Sequence, residues 1–559
     1  MHKLIRLITN ISIVLMMSLT APMAFSQSVA PSSTSELLRQ RLEDGALAAS
    51  LTVDGEPIQA AALMHDVYAQ ANFEPLWPRD GVPERLRLVA EQLEQQGLNP
   101  GDLPLEALSR ANLRYRQTGS DTDLVAVDLL ATEALIRAGY QLRFGKVDPT
   151  SLDNDWNFNR SIVDGKKPVR AVRQAINAPD LVAFLDDYFP RGPVYQATMV
   201  ALSKYRAISR AGGWSVVPDG VTLREGDTDP RVMPLRARLR VTGQLDPADD
   251  TGSEVYDAKL VEAVSLFQDQ HGLDIDGAVG PGTRSAMNVL VGVRVDQLRL
   301  ALERMRWIQK DIKDDALYVN IAGFRLFMMQ EGKFTWESRV VVGKTYRKTP
   351  TFRGDIQYLV LNPTWTVPPG ILRNDKLPAI KRDPGYLART NISVLTRDGV
   401  EVDPSTIDWQ SMNASNFPYI LRQRPGPDNA LGQVKFIFPN KHFVFLHDTP
   451  SRALFDHSER AFSSGCIRVE NPLELAERLL ADQPEWGRAA IDKQLATGDL
   501  RTVHLKESYP VLIIYLTALV DPDGVTRFYN DIYDRDQRVL QALDGEIVMD
   551  LPTVTNVKG

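Results

Sequence analysis

The sequence is poor in cysteine, with one residue of this type, Cys466, among 559. A single thiol cannot form an intramolecular disulfide, so no covalent cross-link holds the fold. In an exported chain a lone cysteine is either a reactive group or a small buried hydrophobe. Its count alone leaves both interpretations open.

Excess positive charge is also absent, since 64 Lys and Arg stand against 71 Asp and Glu. Nucleic-acid binding needs cations that neutralise phosphates, so this class of function is disfavoured.

The acidic loop beginning at Asp274 has Ala278 and Ser285 where an EF-hand requires Asp or Asn and then Glu. Gly343-Lys344-Thr345 follows Ser338, where a phosphate-binding loop requires glycine. No metal, nucleotide or other cofactor is therefore predicted.

Long hydrophobic runs are missing as well. Ile11–Ala21 follows Lys3 and Arg6 and precedes a small-residue cleavage pattern ending at Ser26. This stretch is shorter than the ~20 residues that span a bilayer, and it is typical of a signal peptide. We expect residues 1–26 to be removed and the mature chain to act in the periplasm. A retained inner-membrane anchor is the alternative.

The length predicts several domains, because single cores rarely exceed ~250–300 residues. Residues 27–219 show helical periodicity and predict a helical scaffold without a catalytic pair. Residues 220–291 predict three short helices, with apolar residues and turn glycines at Leu235, Gly243, Phe267 and Gly272. This pattern resembles the small three-helix peptidoglycan-binding domain, a resemblance that implies binding to the cell wall.

Residues 292–312 predict a connecting helix, after which the hydrophobic period changes from 3.6 to 2. Residues 313–545 therefore predict a mostly-β domain, followed by a tail at 546–559. Residues 365–431 are rich in Pro, Gly and Asn, and predict a long capping loop without a sheet of its own. The fold class is multidomain α+β.

The chemistry-bearing residues cluster late in this domain. His447 ends a predicted strand, and Cys466 begins another after a loop. Adjacent strand ends can bring an imidazole to a thiol and activate it. Gly465 permits a tight turn whose amides can stabilise an oxyanion. Arg468 lies two residues beyond the cysteine, on the same strand face, and can hold a carboxylate or form a structural ion pair.

Other candidates are weaker. His457 is an alternative base, but it lies in a polar spacer. Trp365 is either a core aromatic or a substrate-stacking residue, and Asn429 is either a substrate contact or a turn residue. His442 and His447 are five residues apart on a predicted strand, on opposite faces, which argues against shared metal ligation.

Two blocks of sequence carry a second resemblance. His447-Asp448-Thr449-Pro450, followed after a spacer by Ser463-Ser464-Gly465-Cys466-Ile467-Arg468, resembles the signature of the L,D-transpeptidase (YkuD) family. The segments at 343–350 and 425–432 also match, so the resemblance covers most of residues 316–520. Many members have His and Asn where this chain has Ser464 and Arg468, and these departures resemble the large subgroup with scaffold and wall-binding domains.

The resemblance implies a cysteine acyltransferase that crosslinks third-position diaminopimelate residues of peptidoglycan stems and that carbapenems acylate. Cys466 would be the nucleophile and His447 the base, with Gly465 and Ser464 at the oxyanion. Substrate contacts would come from Ser463, Arg468, Trp365 and Asn429. The partners implied are stem peptides and glycan, with other wall-synthesis proteins at the scaffold. Alternatives are an L,D-carboxypeptidase, an enzyme attaching proteins to the wall, and a non-catalytic wall-binding scaffold. A papain-like peptidase is disfavoured, because the residues around Cys466 do not match the motif that surrounds the catalytic cysteine of that family.

Overall fold

The computed structural model describes residues 33–48, 51–152, 156–158 and 166–551. The signal peptide predicted at residues 1–26 lies outside these ranges, as does the tail beyond residue 551. Within the described ranges, no helix combines the length and apolar character needed to cross a membrane.

The N-terminal part of the structure is helical, as predicted. Its centre is a 24-residue helix that is buried on nearly every face, which suits its Leu- and Ala-rich sequence; its buried polar side chains include Glu133 and Arg137, which pair with each other. The remaining helices pack around it together with one short hairpin. The elements are α1 Ser33–Ala48, β1 Leu51–Val53, β2 Glu56–Ile58, α2 Ala61–Ala69, α3 Val82–Gln95, α4 Leu105–Thr118, α5 Asp121–Phe144, α6 Lys166–Ile176, α7 Leu181–Leu185 and α8 Pro193–Arg210.

Three short helices follow and enclose a separate small core. They are α9 Val232–Thr242, α10 Ala258–Gln270 and α11 Pro281–Met287. Gly243 ends α9 at a φ of +89°, a left-handed conformation that glycine adopts without strain. Asp269 at the end of α10 forms ion pairs with Arg325 and Arg527, which attach this small domain to the C-terminal one.

The connecting helix is α12, Val291–Trp307. Its Glu303 accepts hydrogen bonds from the Val147 amide (2.8 Å) and from Trp307 Nε1 (3.0 Å). The same carboxylate pairs with Arg306 at 2.7 Å, and both side chains are fully buried. Arg306 in turn donates to the Gln96 carbonyl at 3.0 Å. This network fastens the helical scaffold to the rest of the chain.

The C-terminal domain is built on a nine-stranded mixed sheet. The strands of this domain are, in chain order, β3 Ala316–Asn320, β4 Arg325–Gln330, β5 Lys333–Gly343, β6 Phe352–Leu361, β7 Trp365–Thr366, β8 Ile392–Leu395, β9 Glu401–Val402, β10 Ile420–Gln423, β11 Val434–Ile437, β12 Leu446–His447, β13 Ala461–Ser463, β14 Ile467–Val469, β15 Arg501–Ile514, β16 Ala518–Val520 and β17 Thr526–Phe528. The order in the sheet is β13-β5-β14-β12-β11-β6-β15-β3-β4. The mostly-β expectation is confirmed.

Helices of this domain were not expected from the alternating pattern. They are α13 Pro369–Ile371, α14 Leu377–Arg382, α15 Tyr386–Arg389, α16 Pro472–Leu479, α17 Arg488–Ala496 and α18 Asp536–Asp544. The predicted strand over 443–447 is reduced to β12, because the chain turns at Phe443, where φ is +54°. The predicted strand over 511–520 is divided into two, β15 and β16.

Residues 365–431, called the capping segment below, contradict the prediction of a loop without a sheet. They form a four-stranded sheet in the order β7-β10-β8-β9. Val394, Ile392 and Leu421 are among the residues of its own hydrophobic core. The strands are two to four residues long and separated by Pro and Gly, so no period-2 run is long enough to be recognised in the sequence.

Candidate active site

The site is created by two short strands that are neighbours in the central sheet. β12 and β14 run parallel, with Leu446 opposite Ile467 and His447 opposite Arg468. Cys466 immediately precedes β14 and is level with Phe445. Paired residues, and residues two apart on one strand, project from the same sheet face. Cys466, Arg468 and His447 therefore share a face, as the sequence predicted.

The imidazole of His447 is held in one tautomer. Its Nδ1 lies 2.5 Å from the carbonyl oxygen of Asp448. A carbonyl oxygen only accepts hydrogen bonds, so Nδ1 carries the proton and donates it, which leaves Nε2 as the free base. Burial lowers the pKa of His447 to about 3, and the charges of Arg468 and Lys435 act in the same direction. The ring is a neutral base at physiological pH.

Cys466 is half-buried, with its Sγ 3.7 Å from the carbonyl oxygen of Phe443. Burial raises the pKa of the thiol, while the backbone of Phe445 and the charge of Arg468 partly oppose that effect. The resting pair is therefore a neutral thiol beside a neutral imidazole. Such a pair forms a nucleophile by transferring the proton as the substrate arrives.

The turn before the cysteine is fixed by its own hydrogen bonds. Ser463 Oγ donates to the Cys466 carbonyl at 2.5 Å and accepts from the Gly465 amide at 3.1 Å. Thr349 Oγ1 donates to the Gly465 carbonyl at 2.9 Å. Gly465 has a φ of +115°, which favours glycine. Ser463 thus orients this turn, and its predicted contact with substrate stays a prediction.

These bonds narrow the choice of oxyanion donor. The Gly465 amide is occupied by Ser463. Among the hydrogen bonds of the described residues, none uses the amide of Cys466 as donor. The amide of Ser464 is likewise not a donor in these hydrogen bonds, so the amides of Ser464 and Cys466 are both left for an oxyanion.

Asp448 supports the loop that follows His447. Its Oδ2 accepts from the Gln433 amide at 2.8 Å, and its Oδ1 lies 3.1 Å from Arg452. A Cβ on Gly432 would lie 2.3 Å from the Asp448 carboxyl carbon, and the φ of Gly432 is +60°. Only glycine fits here, which explains the glycine that follows Leu431 in the sequence.

Two cations flank His447 on the shared face. Lys435 of β11 is opposite His447 on one side, and Arg468 of β14 is opposite it on the other. Within the described ranges, neither side chain has a carboxylate partner, and the buried Nε of Arg468 has no acceptor. The structural ion pair considered as an alternative for Arg468 is therefore not seen in those ranges, and its predicted role of holding a substrate carboxylate stays a prediction. Lys435 was not predicted as a site residue; the alternation of side chains along β11 was the sequence feature that could have indicated it.

The capping segment reaches the turn through Ser464. Arg347 donates to Ser464 Oγ at 2.8 Å and pairs with Asp375 of the capping segment at 2.8 Å. Phe445 packs against both the main core and the core of the capping segment. Through Arg347, Ser464, which precedes the turn glycine Gly465, is connected to the capping segment.

Two predicted substrate contacts, Trp365 and Asn429, are buried. Trp365 is only 8% exposed and belongs to the core of the capping segment, with Lys376 over its ring. Asn429 is 1% exposed; its Nδ2 donates to the carbonyls of Pro363 and Arg424, and its Oδ1 accepts from the Leu431 amide. These contacts agree with the alternatives of a core aromatic and a turn residue, and the substrate contacts stay predictions.

The alternative histidines lie elsewhere. His457 is exposed and packs edge-on against Phe462, and His442 lies in a loop beside Phe352. In the part of the chain that the structure describes, no group of His, Cys, Asp and Glu is arranged to hold a metal ion.

Three segments of the chain match models of known domains. Residues 314–504 match the L,D-transpeptidase catalytic domain (YkuD), and residues 62–202 match a scaffold domain. Residues 228–287 match the domain described as "Putative peptidoglycan binding domain".

Two curated proteins are similar over parts of the chain. A "Putative L,D-transpeptidase" of Haemophilus influenzae is 37% identical over 225 residues, 40% of this chain and 45% of that protein. The N-acetylmuramoyl-L-alanine amidase CwlM of Mycobacterium tuberculosis is 41% identical over 76 residues, 12% of this chain and 19% of its own length. The chain thus spans less than half the length of each relative.

Two solved structures also align. One is the Ldtfm–avibactam carbamoyl enzyme, at 13% identity and a TM-score of 0.18, covering 37% of this chain and 51% of that chain. The other is the L,D-transpeptidase of Xylanimonas cellulosilytica DSM 15894, at 15% identity and a TM-score of 0.17, covering 53% of this chain and 99% of that chain. Scores of this size support no argument about the whole fold.

Proposed function

From the L,D-transpeptidase (YkuD) catalytic domain at residues 314–504, we propose that the protein crosslinks peptidoglycan stems through a thioester on Cys466. The same chain carries a scaffold domain and a peptidoglycan-binding domain. One observation carries the proposal. The only thiol and a histidine with a free Nε2 project from the same face of two parallel, adjacent strands.

The reaction exchanges one amide for another. His447 Nε2 takes the proton of the Cys466 thiol as sulfur attacks the carbonyl of the third residue of a tetrapeptide stem. The Cys466 amide donates to the oxyanion. The C–N bond then breaks, and the imidazolium returns the proton to the amine of the departing D-alanine. The side-chain amine of a second stem attacks the thioester, loses a proton to His447, and releases the thiol.

The acceptor that attacks the thioester distinguishes the proposed crosslinking from two other reactions of the same acyl-enzyme. Water as the acceptor would give an L,D-carboxypeptidase, and a protein lysine would give a wall-attached protein. The proposed crosslink joins two third-position diaminopimelate residues. The peptidoglycan-binding domain supports it, because attachment to polymerised wall raises the local concentration of acceptor stems. The proposed location is the periplasm.

Intact-protein mass spectrometry tests the nucleophile. Incubation with a carbapenem should add one drug mass to the wild-type chain and none to Cys466→Ala. His447→Gln should slow the addition by about 10²- to 10⁴-fold, the usual contribution of a general base. Circular dichroism verifies that the variants are folded. An adduct on Cys466→Ala, or an unmodified wild-type protein, contradicts the proposed thioester chemistry.

Purified tetrapeptide muropeptides test the acceptor. Mass spectrometry of the products should reveal dimers and free D-alanine. Tripeptide monomers without dimers would instead identify a carboxypeptidase. The alternative from another functional class is a wall-binding scaffold protein without catalytic activity. It would be favoured if Cys466→Ala retained the full cellular role of the protein.

A further inference from the structure

The cations beside His447 form a row across three strands of the sheet. Arg468, His447 and Lys435 are direct register partners on β14, β12 and β11. Neighbouring strands are about 4.8 Å apart, so each cation lies one strand spacing from the histidine, on opposite sides of it. The Lys435 ammonium lies 5.9 Å from the centre of the Phe445 ring, which is itself 5.5 Å from the His447 ring.

The two cations are half-buried and lack counter-ions within the described residues. Burial lowers the pKa of both groups, as expected where water is partly removed from a charge. A charge in this position is costly unless an anion accompanies it. The row therefore offers two separate anion-binding points beside the scissile bond.

Their positions distinguish the two halves of a stem peptide. Arg468 shares its strand with Cys466 and so faces the acyl half that remains on sulfur. His447 protonates the departing amine, which places the leaving residue over the imidazole. The carboxylate oxygens of that residue are three bonds from its nitrogen, or about 3 Å away. A leaving residue that continues away from Cys466 extends toward the side of His447 on which Lys435 lies, on the next strand.

We propose that Lys435 binds the terminal carboxylate of the leaving D-alanine and thereby selects stems that end one residue after the scissile bond. An additional residue would move the carboxylate by about 3.5 Å, beyond the range of a charge-assisted hydrogen bond. The inference rests on the proposed function and adds to it a residue that sets donor length.

A cycle that combines a change in Lys435 with a change in the stem carboxylate tests the proposed contact between them. The wild-type chain and Lys435→Met are compared on a tetrapeptide stem with a free carboxylate and on the same stem ending in a carboxamide. Amidation should lower kcat/KM of the wild type by about 10- to 100-fold, mostly through KM, because a charge-assisted hydrogen bond is lost. In Lys435→Met the two stems should have similar kcat/KM, because no cation remains there to distinguish a carboxylate from a carboxamide.

Two further variants and a second substrate comparison complete the design. Lys435→Arg should restore much of the preference for the carboxylate, because it retains the charge. Lys493→Met removes an exposed lysine of α17 and should behave like the wild type. Lys435→Met should also reduce the preference for tetrapeptide over pentapeptide donors by about the same factor.

The outcomes separate this inference from the proposed function. A wild-type chain that forms no thioester with either stem refutes the function itself. An active wild type whose amidation penalty is unchanged in Lys435→Met overturns the role of Lys435 alone. Loss of the penalty in Arg468→Gln but not in Lys435→Met would assign the carboxylate to Arg468 and also overturn it.

Discussion

At the scale of residues, neighbouring side chains hold Cys466 and His447, the proposed nucleophile and base, in position. Asp448 secures the loop after His447, and its carboxylate fills the space that a side chain on Gly432 would need. Thr349 and Ser463 fix the turn before Cys466. A small change in any of these contacts would move the imidazole or the thiol, so local packing is part of the proposed chemistry.

Substituting Gly432 should reveal this dependence. Gly432→Ala combines a left-handed φ with a clash against Asp448, and should cost about 3 kcal/mol or more in unfolding free energy. Gly399→Ala is the matched control, because its φ is +87° but its surroundings are open. Backbone strain alone should cost it about 1 kcal/mol. Equal losses in urea unfolding would show that the Asp448 contact is unimportant.

The pH dependence of acylation should reflect the depressed pKa of His447. Burial and two neighbouring cations hold that pKa near 3, so the base form persists well below pH 6. The acid limb of the carbapenem acylation rate should therefore lie below pH 5, instead of near 6.5. Removing a neighbouring positive charge makes protonation easier, so Arg468→Gln should move that limb to higher pH. An acid limb near 6.5 in the wild type contradicts this expectation.

At the scale of elements, the capping segment is a folded unit attached to the site at few points. Its own core holds it together, and the ion pair between Arg347 and Asp375 links it to the loop that also contacts Ser464. An exposed pair of this kind contributes less than about 1 kcal/mol to overall stability. Its effect should instead be local, on how firmly the segment is held to Arg347 and, through it, to Ser464.

Asp375→Asn should loosen the capping segment without unfolding it. Hydrogen exchange over residues 365–431 should become faster, while exchange in β6 and β15 stays unchanged. Asp383→Asn is the matched control, since Asp383 pairs with Arg389 inside the same segment. Similar exchange in the two variants would show that the Arg347 bridge does not restrain the segment.

At the scale of the whole molecule, one continuous core extends from the scaffold through α12 into the main sheet, while the small wall-binding domain has its own core. The buried Glu303–Arg306 pair lies where scaffold and catalytic domain meet. Removing one partner of such a pair leaves an uncompensated buried charge. The domain arrangement should therefore depend strongly on Glu303.

Glu303→Gln should lower the unfolding free energy of the full chain by about 3 kcal/mol, because Arg306 remains charged and buried. Glu337→Gln, which removes an exposed partner of Arg325, should cost less than about 1 kcal/mol. Urea unfolding followed by tryptophan fluorescence compares the two. Equal effects would show that the buried pair does not hold the domains together.

The sequence by itself determined what depends on local pattern. Helical periods predicted α1, α5, α8 and α12, and turn glycines predicted the three small helices of the wall-binding domain. Cys466 and His447 were predicted because short motifs around them carry the family resemblance. Fold class and domain types were confirmed by the structure and the matching domains. The catalytic roles remain predictions.

Tertiary structure alone decided what depends on pairing between distant segments. Lys435 joins the site because β11 pairs with β12, a register that no local pattern encodes. Trp365 and Asn429 are buried because the capping segment folds on its own strands, each too short to reveal a period in the sequence. Side-chain alternation indicates which residues share a strand face, but strand order and register arise from packing across the whole sheet.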